Sequence, residues 1–116
     1  MLSFPGTLKV YLSLEAADLR KSFNGLYGLA EVVLKEDPRN GGLFVFTNTS
    51  RNRIKILYWD GTGLWVMTKR LEKGTFSWPT GVDVTSGKLT LSAEALGLLL
   101  DGVDLRGAAM RPWYRR

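Results

Sequence analysis

The 116-residue chain contains neither cysteine nor histidine. Without cysteine it can form no disulfide and no thiolate metal site. Without histidine it lacks imidazole ligands and the Ser/His or Cys/His pairs of covalent catalysis. No other metal or cofactor motif is present, so we expect neither a metal nor a cofactor. A chain without cysteine is also compatible with a reducing compartment.

The chain also lacks long apolar runs. No stretch approaches the roughly 18 apolar residues that a membrane span requires. The start, MLSFPGTLK, has neither the basic beginning nor the apolar run of a signal peptide. We therefore expect a cytoplasmic protein with no membrane partner. The length fits one domain, and an apolar fraction of 45% is ordinary for a globular chain.

Positive charge is present in excess and unevenly placed, with a formal net charge of +5. Met1–Ser50 is balanced, Arg51–Thr75 carries +4, Phe76–Leu105 carries −3, and residues 106–116 carry +4. Two basic segments on a small domain favour an anionic partner such as nucleic acid. The alternative is a basic surface that only keeps the protein soluble.

The first half of the chain predicts a strand followed by a helix. Residues 8–14 alternate apolar and polar side chains, which is typical of a strand. Apolar residues then recur at three- and four-residue steps, which predicts one face of a long helix: Leu19, Phe23, Leu26, Ala30 and Val33. Asp18 stands at the expected N-cap, and Pro38 is expected to end the helix before Asp37.

The remaining pattern predicts three strands and a second helix. LFVFTN is nearly continuous in apolar residues and indicates a central strand, and RIKILYWD and LWVMTKRL flank a glycine-containing loop, Asp60–Gly63. Ser92 is the predicted N-cap of a helix that stops at Gly102. The predicted fold is α+β: an antiparallel β-meander with one long helix packed on a face and a short C-terminal helix. Residues 1–105 form the predicted domain, and 106–116 a basic C-terminal arm.

The hairpin is the candidate interface. We expect the isoleucines of its first strand and Leu64 and Val66 of its second to form core. That prediction leaves one exposed face, composed of Lys55, Trp59, Trp65, Met67 and Lys69. The face is open to three interpretations: an ordinary hairpin stabilised by a cross-strand aromatic pair, a nucleic-acid contact, or a protein-binding surface.

Under the nucleic-acid interpretation, cations neutralise phosphates and exposed indoles stack on bases or sugars. The candidate residues combine the hairpin and the arm: Arg53, Lys55, Trp59, Trp65, Lys69, Arg70, Lys73, Arg111, Arg115 and Arg116.

Several segments of the sequence also resemble a known protein family. DPRNGGLFVFTNTSRNRIKILYWDGTGLWVMTKRLEKGTFSWP, residues 37–79, closely resembles the signature segment of the TnpB (Orf2-like) accessory proteins of IS66-type insertion sequences. The flanking segments GTLKVYL, DLRKSFNGL and LLLDGVDLR are similar to the same family, and the second of these contains Asp18, Arg20 and Lys21. The resemblance implies a mobile genetic element and a role in transposition, a DNA recombination process, beside a separate, larger transposase.

Three hypotheses follow. The first is a non-catalytic accessory protein that binds the DNA of the element ends or the transposase–DNA complex. The second is a protein-interaction module that docks on the transposase. The third is a small metal-dependent nuclease, for which the candidate carboxylates are Asp18, Asp37, Asp60 and Glu72. The oligomeric state stays open.

Overall fold

The structure is a computed structural model that describes residues 8–79, 87–102 and 114–115. Its elements are β1 (Val10–Ser13), α1 (Phe23–Val32), a 3-10 turn (Pro38–Asn40), β2 (Leu43–Thr47), β3 (Arg53–Trp59), β4 (Leu64–Arg70), β5 (Lys88–Leu91), α2 (Ala93–Leu100) and β6 (Tyr114–Arg115). The predicted α+β class is confirmed. Within the described ranges, neither helix has the length and apolar character that crossing a membrane requires.

The strands form one mixed sheet in the order β4-β3-β2-β1-β5-β6. β2, β3 and β4 form the predicted antiparallel meander. β1, however, pairs parallel to β2 and antiparallel to β5, so the prediction of a pure meander is wrong. The cause is α1, because a helix between two strands returns the chain to the end of the sheet where the first strand began.

α1 begins later than predicted. It has ten residues and starts at Phe23, with Ser22 as its N-cap. Asp18, the predicted N-cap, instead accepts hydrogen bonds from the backbone N–H and the guanidinium of Arg20. This local bonding holds the residues before the helix in a separate turn.

α1 also ends earlier than its sequence pattern indicated. Lys35 takes a left-handed φ of 57°, and the Glu36 N–H donates to the Ala30 carbonyl at 3.0 Å. This arrangement matches a Schellman-type helix end, which satisfies a terminal carbonyl. The helix has therefore stopped before Pro38 can break it, and the prediction of one long helix is wrong.

α2 confirms the predicted C-terminal helix. The Ser92 hydroxyl accepts a hydrogen bond from the Ala95 N–H at 3.0 Å, and Glu94 lies in the first turn, where a negative charge favours the helix dipole. Gly102, with a φ of 82°, follows the end of the helix.

Each face of the sheet buries its own core, because successive residues of a strand point to opposite faces. On the first face, here called the α1 face, the core consists of Leu19, Leu26, Ala30, Leu34, Phe44, Phe46 and Leu57. The second, the α2 face, carries α2 and strand residues such as Val10, Leu12, Val45, Ile54, Ile56 and Leu89. β2 is buried on both faces, as expected for its nearly continuous apolar sequence.

The segment after β4 folds over the α2 face. Phe76 and Trp78 are buried in the core there. The Phe76 N–H donates to the Arg51 carbonyl at 2.6 Å, and the Trp78 Nε1–H donates to the Ser13 carbonyl at 3.0 Å. These bonds attach the segment to the β2–β3 turn and to the end of β1, which lie at the same end of the sheet.

The predicted C-terminal arm lies mostly outside the described residues. Within it, the backbone of Tyr114 and Arg115 forms β6, and these residues pair with Leu91 and Thr90 of β5. The described part of the arm therefore adds to the sheet at the edge opposite β4.

Trp78→Ala should lower the free energy of unfolding by about 3–5 kcal/mol, because it removes a buried indole and leaves the Ser13 carbonyl without its donor. Val32→Ala, on the exposed side of α1, is the control and should change it by less than about 0.5 kcal/mol. Urea denaturation at neutral pH measures both. A Trp78→Ala loss no larger than that of the control would contradict this role of Trp78.

Candidate nucleic-acid interface

The predicted hairpin is confirmed. β3 and β4 pair antiparallel without interruption from Arg53 opposite Arg70 to Trp59 opposite Leu64, and β4 is an edge strand. The hairpin has an open end at the two arginines and a closed end at the loop of residues 60–63. The two ends are separated by about 20 Å, the length of β3 at about 3.3 Å per residue.

One carboxylate organises the closed end. Asp60 accepts hydrogen bonds from the Thr62 N–H at 2.8 Å, the Thr62 hydroxyl at 2.9 Å, the Gly63 N–H at 2.9 Å and the Trp65 Nε1–H at 2.7 Å. Donation by the Thr62 N–H, followed by the indole and the other donors, holds the pKa of Asp60 well below its ordinary value. Gly61 has a φ of 100°, a conformation that glycine adopts without strain.

The two tryptophans of the hairpin lie on opposite faces of the sheet, so the prediction of a single basic and aromatic face is wrong. Trp65 pairs with Tyr58 on the α2 face, whereas Trp59 is on the α1 face. The five residues predicted to share a face divide into Lys55 and Trp59 on one side and Trp65, Met67 and Lys69 on the other. A shift of one residue in register is enough to exchange the faces of a strand.

Neither indole is sealed in the interior. Trp65 is 57% exposed, and its N–H is already bound by Asp60, so it presents its ring surface to solvent. Trp59 is half-buried, and the Arg39 guanidinium carbon lies 5.5 Å from its ring centroid, within cation–π distance. Trp65 is therefore the more accessible of the two rings.

Positive side chains gather at the open end of the hairpin. Arg53 and Arg70 are exposed cross-strand partners, and Arg51 is in the adjoining turn. Because β1 is parallel to β2, the loop after β1 reaches the same end and brings Arg20 and Lys21 there. We call these five residues, Arg20, Lys21, Arg51, Arg53 and Arg70, the cationic end.

Only two of these five residues, Arg53 and Arg70, are among the contacts predicted from the sequence. Arg20 and Lys21 lie within a segment that resembles the insertion-sequence family, but the sequence pattern predicts that they are on a helix. Their position at the cationic end depends on the parallel pairing of the first two strands, which local sequence pattern does not specify. Lys73, which was predicted, is exposed in the segment after β4, three residues beyond Arg70.

Two predicted lysines have acceptors within the protein. The Lys55 ammonium donates to the Lys21 carbonyl at 3.0 Å, and the Lys69 ammonium donates to the Leu100 carbonyl at 2.5 Å. Leu100 ends α2, so Lys69 places its charge at the negative end of the helix dipole. Both lysines therefore join elements of the fold.

The described part of the arm, residues 114–115, does not reach the cationic end. Arg115 lies in β6, at the opposite edge of the sheet from β4, about 24 Å away at about 4.8 Å per strand spacing. Arg111 and Arg116 lie outside the described residues. A ligand of the cationic end would have to extend across the sheet to reach Arg115.

A groove of about 650 Å³ separates the loop after β1 from the β2–β3 turn. Residues 16–20 line one wall, and residues 48–50 with Arg53 line the other. On the first wall, Asp18 forms an ion pair with Arg20, with an N–O distance of 2.9 Å. Hydrogen bonds from the Arg20 guanidinium, followed by the one from its backbone N–H, lower the pKa of Asp18 to about 2. Asp18 is therefore ionised at neutral pH.

The carboxylates considered for a nuclease have local structural partners. Asp18 binds Arg20, Asp60 caps the hairpin loop, and Asp37 accepts from the Tyr27 hydroxyl at 3.0 Å and from the Arg39 N–H at 2.9 Å. In the described ranges, no three acidic side chains are grouped so that they could hold a metal ion. The geometry therefore gives the nuclease hypothesis no support.

Asp60→Asn should make the stability of the protein less sensitive to acid. A carboxyl group whose pKa is lower in the folded state than in the unfolded state stabilises the folded state at pH values above its unfolded pKa of 3.8. This stabilisation is lost as the pH falls through the pKa of the folded state. Urea denaturation at pH 7 and at about pH 2.5 should therefore show a smaller acid-induced loss for Asp60→Asn than for the wild type. The control is Glu72→Gln, an exposed acid with no hydrogen-bond partner among the described residues. An acid-induced loss in Asp60→Asn equal to that of the control would contradict the expectation.

The sequence comparisons identify the family. Residues 8–110 match the family model described as IS66 Orf2 like protein. Two proteins of Sinorhizobium fredii, both named only as uncharacterized proteins, y4jC and y4hO, are each 35% identical to the chain; they align over 93% and 91% of it and over 90% of their own lengths. No solved structure shows significant similarity. The chain therefore belongs to the IS66 Orf2-like family, the accessory proteins of IS66 transposition.

Proposed function

We propose that the chain is a non-catalytic accessory protein that binds DNA, at the element ends or in the transposase–DNA complex, through its cationic end. The observation that carries the proposal is the cross-strand pair of Arg53 and Arg70. Both side chains are exposed, and neither forms an ion pair with an acid in the described part of the chain.

Two like charges directly opposite each other destabilise a sheet. A phosphate placed between Arg53 and Arg70 would convert this repulsion into attraction. Arginine suits such a ligand, because its planar guanidinium can donate two parallel hydrogen bonds to one phosphate. The neighbouring Arg51, Arg20 and Lys21 extend the positive surface along the same end of the sheet, in a direction that a DNA backbone could follow.

The residues of the predicted face lie on two sides of the sheet, and this limits which of the remaining candidates could contact DNA together. Trp65 and Lys69 lie on the α2 face, so they cannot contact the same stretch of backbone as Lys55 and Trp59 unless the DNA passes around the edge strand. We therefore propose phosphate contact as the main mode. Base stacking by Trp59 or Trp65, and contacts by Lys73 and the arm arginines, stay predictions.

Replacing Arg53 and Arg70 together by Gln should weaken binding of a fluorescein-labelled duplex of about 20 base pairs and reduce its salt dependence. Each lost phosphate contact should lower the slope of log K against log salt by about 0.9, so the double variant should lose about 1.8. Its affinity at low salt should fall by about tenfold or more. Fluorescence anisotropy across a salt series measures both quantities.

The matched control is Lys9→Gln, which removes one positive charge at the opposite end of β1. It should change neither the slope nor the affinity by more than about twofold. Wild-type protein that fails to bind the duplex even at low salt would overturn the proposal. So would equal losses in the Lys9 variant and the double variant.

A second candidate function is docking on the transposase, and it is supported by the α2 face of the hairpin. A groove of about 170 Å³ lies between β3, β4 and the end of α2, and its apolar lining includes Ile54, Ile56, Met67 and Leu100. Trp65 precedes Met67 by two residues on the same face of edge strand β4. A rigidly held, exposed indole beside an apolar groove is typical of a protein-binding hot spot.

Under this second candidate, Trp65→Ala should abolish co-purification with the transposase, because it removes the exposed anchor. Pull-down from cells that express both proteins, with nuclease treatment of the lysate, separates direct contact from contact bridged by DNA. Phe23→Ala, which truncates an exposed aromatic side chain on α1, is the control and should leave co-purification intact. Co-purification that survives Trp65→Ala, or that disappears on nuclease treatment, would contradict docking.

A further inference from the structure

The groove beside the cationic end is formed by two loops that the fold brings together. β1 and β2 are parallel neighbours, so the loops that follow them leave the sheet at the same end. In open sheets, the space beyond the carboxyl ends of parallel strands is a common ligand position. Here that space is the groove of about 650 Å³, and an arginine lines each wall, Arg20 on one and Arg53 on the other.

Arg20 is held in place although its side chain is 91% exposed. Its Nε donates to Asp18 Oδ1 at 3.0 Å, its Nη2 donates to Asp18 Oδ2 at 2.9 Å, and its backbone N–H donates to Oδ1 at 3.0 Å. One carboxylate thus binds one edge of the guanidinium and the backbone that carries it. Nη1 is left without a hydrogen-bond partner in the described part of the chain.

The opposite wall offers further donors. Thr49 and Ser50 are exposed at the tip of the β2–β3 turn, and neither hydroxyl is bonded to another described residue. The turn itself is braced, because the Asn48 side chain accepts from the backbone N–H groups of Asn52 and Arg53 at 3.1 and 3.2 Å. Two arginines and two hydroxyl-bearing residues on supported loops therefore line the groove.

We infer that this groove binds one phosphate of a nucleic-acid backbone, with Arg20 as a direct ligand and Asp18 as the positioning residue that holds Arg20 toward it. The inference rests on the proposed function, because the phosphate belongs to the same DNA that the cationic end contacts. Restraining an exposed arginine before binding reduces the conformational entropy that binding would otherwise cost.

The two possible effects of Asp18 on DNA binding have opposite signs. If Asp18 acted only through its negative charge, it would repel phosphate, and its removal would strengthen binding. If it acts by positioning Arg20, its removal weakens binding, although the protein becomes more positive. The direction of the change therefore separates the two roles.

The experiment measures binding of the same labelled duplex by Asp18→Asn, with Glu15→Gln as the matched control. Glu15 is an exposed acid of the same loop whose carboxylate has no hydrogen-bond partner among the described residues. Asp18→Asn should weaken binding about fivefold and reduce the salt slope by about 1, the value of one phosphate contact. Glu15→Gln should strengthen binding by about twofold or less.

A double-mutant cycle distinguishes positioning from a general structural defect. Arg20→Gln alone should weaken binding about as much as Asp18→Asn. In the Arg20→Gln background, Asp18→Asn should cause no further weakening, because the residue through which it acts is gone. A structural defect would weaken binding equally in both backgrounds and would overturn the inference.

A competition experiment with inorganic phosphate tests whether the bound phosphate belongs to DNA or is a free ion. If the groove recognises the DNA backbone, exchanging chloride for phosphate at constant ionic strength should leave duplex affinity within about twofold. Tight binding of inorganic phosphate by the DNA-free protein, lost in Arg20→Gln and without effect on duplex affinity, would overturn the assignment to DNA and indicate a site for free phosphate. If the wild type binds DNA but Asp18→Asn strengthens binding as Glu15→Gln does, the groove inference fails and the proposed function stands. If the wild type does not bind DNA, both fail.

Discussion

The parallel pairing of β1 with β2 is the constraint on which the candidate site depends. It requires a crossover, which α1 supplies, and it places the loop after β1 beside the β2–β3 turn. The open end of the hairpin reaches the same place, because β3 begins where β2 ends. Arginines from three separate segments of the chain, Arg20, Arg51 and Arg70, therefore meet at one end of the sheet. An antiparallel meander would have placed the first loop at the opposite end.

The hairpin carries positive charge at its open end and indole rings at its closed end, and its two faces carry different side chains. Like charges stand opposite each other at the open end, where Arg53 faces Arg70, and the indoles stand at the closed end, about 20 Å away. At the closed end, Asp60 satisfies the loop donors and fixes Trp65. The cationic end is suited to phosphate, while the α2 face beside Trp65 is suited to apolar side chains. An accessory protein of transposition that presents both surfaces could contact DNA and a protein partner at once.

Three aspartates of this fold hold neighbouring groups in place by accepting hydrogen bonds from them. Asp18 restrains Arg20 by accepting hydrogen bonds from its guanidinium. Asp37 accepts hydrogen bonds from the Tyr27 hydroxyl and from the Arg39 N–H of the 3-10 turn. Asp60 accepts hydrogen bonds from the donors of the hairpin loop. Hydrogen-bond donation to a carboxylate stabilises its charged form, and this is why the pKa values of all three lie below the ordinary value. At neutral pH these charges are constant, so they define the geometry of nearby cations and rings.

The sequence by itself determined the family, the hairpin, the central strand β2 and the capped helix α2. Each depends on local pattern: alternation, a glycine-containing loop, a serine cap, or a segment long enough to be recognised. Local pattern could not decide that β1 pairs parallel to β2, because strand neighbours are chosen by the packing of α1 on the sheet. Local pattern does define the faces of β4, because a loop of four residues joins the odd positions of β3 to the even positions of β4. The predicted placement of Trp65, Met67 and Lys69 on the face of Lys55 and Trp59 is nevertheless wrong. The placement of Arg20 beside Arg53, residues 33 positions apart in the chain, was decided only by the tertiary structure, because it requires β1, β2 and β3 to be assembled in one sheet.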